Sequence, residues 1–227
     1  MQELNVEKIT FNEVVDDWLS FKKNMVKEST FLNYTFIINK RLRPELGEKT
    51  LEDFQNYNIN AYINSLKDSL VNKTIRDILA VLKSILRYAE RKYDKDFKLD
   101  LISAPLSSQR GIEVFDEKEK SKLEKYLLKT QEIKYLGVLI SLYAGLRIGE
   151  VCALKWSDID FDEKLIHVSH TLQRVYVGNH NTKVIFTLPK TKKSIRRIPI
   201  SRVLFDKLKE FSKGYQKNTF ILSRKRR

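Results

Sequence analysis

The 227-residue chain has one cysteine, Cys152, seven glycines and four prolines. A lone cysteine excludes an internal disulfide and suits a reducing compartment, so a cytoplasmic location is expected. One Cys and three scattered His (His167, His170, His180) make a poor ligand set, and no metal site is expected. No apolar run approaches the roughly 20 residues that a membrane-spanning helix needs. The start, MQELNVEKIT, lacks the basic stretch followed by an apolar one that marks a secretory signal. Acidic residues run short toward the end: residues 164–227 hold 17 Lys and Arg against two acids, Asp206 and Glu210. The formal net charge of +14 is therefore concentrated in the second half, and such a field favours a polyanion over an acidic or neutral partner. A solvated basic surface that merely maintains solubility is the plainer reading of the same charge.

What is present divides near residue 100. The stretch TFNEVVDDWLSFKKN opens with Thr10 and Glu13 at capping-box spacing and continues with an apolar face through Trp18. A second helix is expected to be capped at Ser29 or Thr30 and to stop before Pro44, with a turn at Gly47. A third is expected over Tyr57 to Ser69. The fourth, NKTIRDILAVLKSILRYAERKYD, aligns Ile75, Ile78, Leu79, Leu82, Ile85, Leu86 and Ala89 on one stripe. Four helices with short connections form a small bundle over residues 1–99.

Residues 100–113 lose the helical period and contain Pro105, Ser107, Ser108 and Gly111, as a linker does. Helices resume at DEKEKSKLEKYLLKT and EIKYLGVLISLYAG. After GEVCALKWSDID the period changes to two, and KLIHVSHT, RVYVG, TKVIFTLP and SIRRIPIS read as short strands. RVLFDKLKEFSKG closes as a helix, and TFILS after it reads as the start of a further strand. The fold class is mainly α with a small antiparallel sheet: a helical bundle, then a mixed domain over 114–227. Trp18 and Trp156 are expected as core anchors, and Cys152 as inert packing.

Two stretches carry chemistry. In YAGLRIGEVCALKWSDID, Arg147 interrupts an oily segment and Glu150 follows three positions later, which puts the two side chains within reach on one helical turn. A planar, permanently charged guanidinium suits a phosphodiester and its pentacoordinate transition state better than an ammonium does. The same pair also fits a structural ion pair that pins two helices. In LPKTKKSIRRIPIS a lysine at a turn between strands can be delivered into a groove; Lys190, Lys192 and Lys193 compete for that position. Arg196 and Arg197 alternate faces of the following strand, so at most one faces a ligand in a given way, and phosphate-backbone contacts are expected from both. The bundle adds Lys22, Lys23, Lys40, Arg41 and Arg43 as DNA-binding candidates.

From about Thr10 to Ser223 this order of features resembles the tyrosine recombinases, the phage and transposon integrases. The bundle resembles their SAM-like core-binding domain, and YAGLRIGEVCALKWSDID is similar to their first catalytic box, whose arginine acts on the scissile phosphate. LPKTKKSIRRIPIS resembles the β-hairpin segment that bears the catalytic lysine. The resemblance implies Arg147 and Lys190 as catalytic groups, with Glu150 behind Arg147 and Lys190 protonating the departing 5′ oxygen. It implies duplex DNA bearing attachment-type sites as partner, full-length recombinase protomers or further copies of the chain assembled on it, and no cofactor.

The pattern then calls for a His-x-x-Arg box, a further His or Trp, and a nucleophilic tyrosine. No histidine follows His180, and the last tyrosine, Tyr215, lies in a polar KGYQKN turn. His167 and His170 precede the hairpin and are not candidates. The covalent step has no residue here, so these residues are expected to bind DNA without cleaving it, as the core-binding domain and part of the catalytic domain. Helices missing after residue 227 would leave apolar surface uncovered unless another chain sits on it. The alternative is a non-catalytic DNA-binding module or regulator with the recombinase fold. A third reading is a helical scaffold whose basic end binds RNA or an acidic partner.

Overall fold

The computed structural model describes residues 9–106, 111, 113–178, 181–188 and 194–223. The chain forms two units, Met1–Gly111 with Val175–Lys183, and Ile112–Arg174 with Val184–Arg227.

In the first unit, α1 (Phe11–Lys22) begins at the expected capping box. The Glu13 backbone N–H donates to Thr10 Oγ1 at 3.3 Å, and the Glu13 carboxylate accepts the Thr10 backbone N–H at 2.8 Å. The reciprocal pair satisfies two helix-end donors that would otherwise need water. Thr50 and Asp53 repeat the device at the start of α4 (Leu51–Asn56), and Thr10 and Thr50 bridge each other as an antiparallel pair. The long α6 (Asn72–Tyr93) buries all seven expected stripe residues, together with Val81, in a core shared with Phe11, Val14, Trp18 and Phe54.

Two expectations for this unit need correction. Helix α2 (Glu28–Ile37) starts after an extended Lys27, ahead of Ser29 and Thr30, whose positions fall inside its first turn. The helical path also runs through Pro44. A π-helical turn over Ile38–Leu42 directs the Arg43 N–H to the Ile38 carbonyl, and Pro44 then sits in the first turn of α3 (Arg43–Leu46), where it has no N–H to lose. The helix expected over 57–69 is present as α5 (Ile59–Ser65), capped by Asn58, which accepts the Ala61 N–H at 3.0 Å, and a 3₁₀ turn over Leu66–Asp68 follows it.

The segment after α6 is non-helical, and side chains of the first unit fasten it. Asn60 donates to the Leu101 carbonyl (3.2 Å) and accepts from the Ser103 N–H (3.1 Å), Lys83 donates to the Ile102 carbonyl, and Asn72 to the Leu106 carbonyl. Phe97, Leu99 and Ile102 are buried in the first core.

In the second unit, α7 (Glu117–Lys129) starts on an Asp116–Glu119 capping box, and α8 (Ile133–Ala144) ends at Gly145. Gly145 takes φ +62°, a left-handed cap that glycine adopts without Cβ strain. After α9 (Ile148–Ala153), strands β1 (Ile159–Asp160), β2 (Leu165–Val168) and β5 (Arg196–Pro199) form an antiparallel sheet in that order, while β3 (Thr171–Gly178) and β4 (Asn181–Thr187) form a separate hairpin pair. The β2–β5 register sets Ile166 opposite Ile198, His167 opposite Arg197 and Val168 opposite Arg196. Ile166 and Val168 are buried, with α8, α9 and α10 (Arg202–Ser212) supplying Leu136, Ile140, Val151, Leu204 and Leu208 to the same core.

Trp18 and Trp156 are both core residues, as expected, and Cys152 is half-buried. The strand expected at TFILS is instead a single Lys155–Phe220 bridge followed by a turn. Backbone bonds from Trp156 to Thr219 (3.1 Å) and from Ile221 to Leu154 (2.9 Å) hold this piece, and Ile221 is buried.

Candidate functional site

Arg147 lies in the short connection between α8 and α9. Gly145 turns the chain, Leu146 is buried, and Arg147 takes the extended N-cap conformation (φ −70°, ψ 152°) of α9. It therefore precedes the helix on whose face the sequence placed it. Glu150, three residues on, is the third residue of α9 and reaches back to accept the Arg147 backbone N–H at 3.0 Å. This is half of a capping box, with the carboxylate fixing the main chain from which the arginine projects.

Arg147's side chain is 79% exposed and Glu150's 7%. The apolar residues around Arg147 in the sequence suggest a buried or half-buried guanidinium partnered by Glu150, whereas the structure exposes it. Its one contact in this cluster, Nη1 to Glu150 Oε1, is long at 3.3 Å and leaves most of the donor fork facing solvent.

Glu150's main partner comes from β5. Arg196 Nη1 donates to Oε1 at 2.9 Å and Nη2 to Oε2 at 2.8 Å, a bidentate pair, while Nη1 also reaches the Ser194 carbonyl at 3.2 Å. The sheet register explains the reach. Arg196 is paired with Val168, whose side chain is buried, so in an antiparallel pair both point to the covered face. Arg197, paired with His167, takes the other face and is exposed. Both terminal nitrogens of Arg196 are thus engaged with Glu150, while Arg197 stands exposed. The alternation along the strand was a readable signal for this, since one of the two had to point inward.

The charge of Glu150 follows from this geometry. The two Arg196 bonds, aided by the Arg147 N–H, outweigh burial and hold its carboxyl at a pKa of about 2, while the same bonds raise that of Arg196. The cluster of two guanidinium groups and one carboxylate keeps a net positive charge with its exposed member outermost. Gly149, between Ile148 and Glu150, is required by close packing: a Cβ there would lie 2.5 Å from Thr171 Oγ1 and 2.8 Å from the Leu172 carbonyl oxygen. The first residues of β3 thus press directly on α9, a constraint that the sequence pattern did not reveal.

Lys190, Lys192 and Lys193 lie outside the described residues. In the bundle, Lys22 and Lys23 finish and follow α1, and Lys40 and Arg41 lie in the π-helical turn, where Lys40 is exposed. Arg43 donates to Asn12 Oδ1 at 2.8 Å and pairs with Asp16. Tyr215 packs on Trp156 with ring centroids 5.6 Å apart. His170 stacks on Phe186 and bonds Ser169. Among the described residues no three His, Cys, Asp or Glu side chains gather to hold a metal, and no helix is long and apolar enough to cross a membrane.

Comparison with known proteins follows the same division. Residues 10–67 match the phage integrase N-terminal SAM-like domain, and residues 113–227, half of the chain, match the phage integrase family. A protein described as tyrosine recombinase XerC-like, from Caldanaerobacter subterraneus subsp. tengcongensis, is 31% identical over 226 residues, covering 91% of this chain and 56% of its own. The chain thus spans little more than half the length of that curated relative. Among solved structures, the Tn1549 transposon integrase in complex with transposon right end DNA superposes with a TM-score of 0.69 at 20% identity, covering 96% of this chain and 72% of its own. A lambda integrase tetramer bound to a Holliday junction gives a TM-score of 0.62 at 19% identity, covering 92% and 58%. At those identities the two structures show the fold, and the family match rests on the sequence: this chain belongs to the phage integrase family.

Proposed function

We propose that these residues bind duplex DNA as the core-binding domain and part of the catalytic domain of a site-specific tyrosine recombinase, with Arg147 as a ligand of the scissile phosphate. The observation that carries this reading is the contrast at the site: a guanidinium 79% exposed, on a main chain fixed by a carboxylate 7% exposed. A structural ion pair would occupy the Arg147 fork. Here the fork of Arg196 is occupied and that of Arg147 is presented.

The exposed donors of Arg147 match two phosphate oxygens and the charge that builds on them in the transition state. Lys190, by resemblance, donates a proton to the leaving 5′ oxygen. Residues 164–227, with 17 basic side chains and two acidic ones, supply sequence-independent attraction to the backbone, and Lys22, Lys23, Lys40 and Arg41 add to it from the bundle. The neighbours' printed descriptions, one in complex with transposon right end DNA and one a tetramer on a Holliday junction, support duplex DNA and further protomers as partners. The single cysteine supports a cytoplasmic setting.

Strand exchange needs a tyrosine nucleophile, and Tyr215, packed on Trp156, is not placed to serve. The 227 residues are therefore expected to bind without forming a phosphotyrosyl link. Incubation with a nicked suicide duplex and a denaturing gel tests this, and a covalent adduct would refute it. Fluorescence anisotropy with a labelled duplex tests the binding itself. Affinity undetectable at low salt, or unchanged as salt rises, would favour the scaffold reading.

A further inference from the structure

We propose that Arg196 is a positioning residue for Arg147, acting through Glu150, and is not a phosphate ligand itself. The inference rests on the reading of Arg147 as a phosphate ligand and identifies what sets its geometry.

Three observations lead there. Arg196 engages both oxygens of Glu150, at 2.9 and 2.8 Å, whereas the Arg147 side chain touches one of them, at 3.3 Å. Glu150 also accepts the Arg147 backbone N–H, so the carboxylate that Arg196 holds is the one that sets the main chain at residue 147. And the sheet register puts Arg196 beside buried Val168, on the covered face, with Arg197 on the open one.

The division of labour has a chemical reason. Bound to Arg147 alone, a buried carboxylate would draw that guanidinium inward, fork to fork, and withdraw its donors from a ligand. Arg196 satisfies both carboxylate oxygens from the opposite side. Glu150 then remains ionised and rigid, and Arg147 needs only one weak bond to it. A lysine at position 196 keeps the charge but cannot present two parallel donors, so the carboxylate would be free to turn toward Arg147.

The test uses the full chain and a mixed-sequence labelled duplex, with wild type, Arg147→Ala, Arg196→Lys and the double variant measured over a salt series. Loss of a charge-assisted contact at Arg147 is expected to weaken binding about tenfold or more. Arg196→Lys should cost nearly as much despite its retained charge, and should cost nothing further in the Arg147→Ala background. Losses that add in the double variant, with the slope of log affinity against log salt falling by about 0.9 for Arg196 as well, would show a direct phosphate contact and overturn the proposal. An Arg196→Lys protein that binds as wild type would overturn it too.

A second arm needs no DNA. The side-chain carboxyl of Glu150, followed by ¹³C NMR against pH, faces only Arg147 and Arg196 among the charged groups bonded to it. Arg196→Gln is expected to move its titration up toward the ordinary glutamate range, and Arg147→Ala to move it little. An unmoved titration in Arg196→Gln would refute the positioning role. If instead Arg147→Ala leaves affinity unchanged while Arg196→Gln shifts Glu150, the hold of Arg196 on Glu150 stands and the phosphate-ligand reading of Arg147 fails.

Discussion

Removing either arginine beside Glu150 deletes one positive charge, yet the structure assigns the two deletions very different costs to folding. Arg196→Ala leaves a carboxylate that is 7% exposed without its bidentate partner, a change that typically destabilises by about 3–5 kcal/mol. Arg147→Ala removes a side chain that is 79% exposed and leaves the backbone N–H on Glu150 in place, so about 0–1 kcal/mol is expected.

The pH dependence sharpens the contrast. Glu150 falls from the ordinary 4.5 to about 2 on folding, a shift that corresponds to roughly 3 kcal/mol of stability. A carboxyl depressed by folding contributes fully above its unfolded pKa, and the contribution disappears as pH falls through the folded value. Wild type should therefore lose this stabilisation between about pH 4.5 and about pH 2, and the Arg196→Ala penalty should shrink over the same window as Glu150 takes up its proton.

The two tryptophans allow each unit to be followed separately, since Trp18 lies in the first core and Trp156 in the second. Urea unfolding of 5-fluorotryptophan-labelled protein, read by ¹⁹F NMR, reports both at once. The Trp156 signal should show the full cost of Arg196→Ala at neutral pH and little of it in acid. Equal costs for the two arginines, or an Arg196→Ala penalty that does not change with pH, would refute the reasoning.

Other expectations follow from single features. Duplex affinity should fall on the order of a thousandfold between 50 and 200 mM salt if about six phosphates are neutralised, as a log–log plot of anisotropy data would show. Gly149→Val should cost about 1–3 kcal/mol or more by thermal melting and weaken DNA binding with it, because a side chain there meets Thr171 and the Leu172 carbonyl. Ile85→Ala should destabilise the first unit by about 2–5 kcal/mol and shift the Trp18 transition more than that of Trp156. Gly145→Ala, forced into φ +62°, should lower stability by about 1 kcal/mol in the same denaturation assay.

Local chemistry made much of this fold legible. The Thr10–Glu13 box announces α1 by spacing alone, and the period of α6 names its buried face, because both depend on residues within a few positions of one another. Strand alternation likewise set Arg196 and Arg197 on opposite faces of their strand. Long-range pairing was not legible. The Arg196–Glu150 bond joins residues 46 apart and follows from the β2–β5 register, which no local pattern encodes. Arg147 read as at least half-buried because its neighbours are apolar, yet a left-handed glycine and an extended cap residue turn it outward. The start of α5 came out within two residues of the expected one, where Asn58 caps it by accepting the Ala61 N–H.

The wide turn over Ile38–Leu42 has a consequence for which changes in length the bundle tolerates. It takes up one residue more than an ordinary turn so that the buried positions on either side, Ile37 before it and Leu46 after it, both reach the same core. Deleting one residue there would restore the ordinary pitch and leave the downstream phase nearly unchanged, because the wide turn is what spends the extra residue. Leu46 would still reach the core, but Pro44 would fall where its ring meets an intact α-helical ladder. Lys40 and Arg41, by contrast, can be exchanged for other side chains without altering the winding. A relative with one residue fewer across this stretch is therefore expected to wind through an ordinary turn in the same helical phase, without a proline at the place of Pro44.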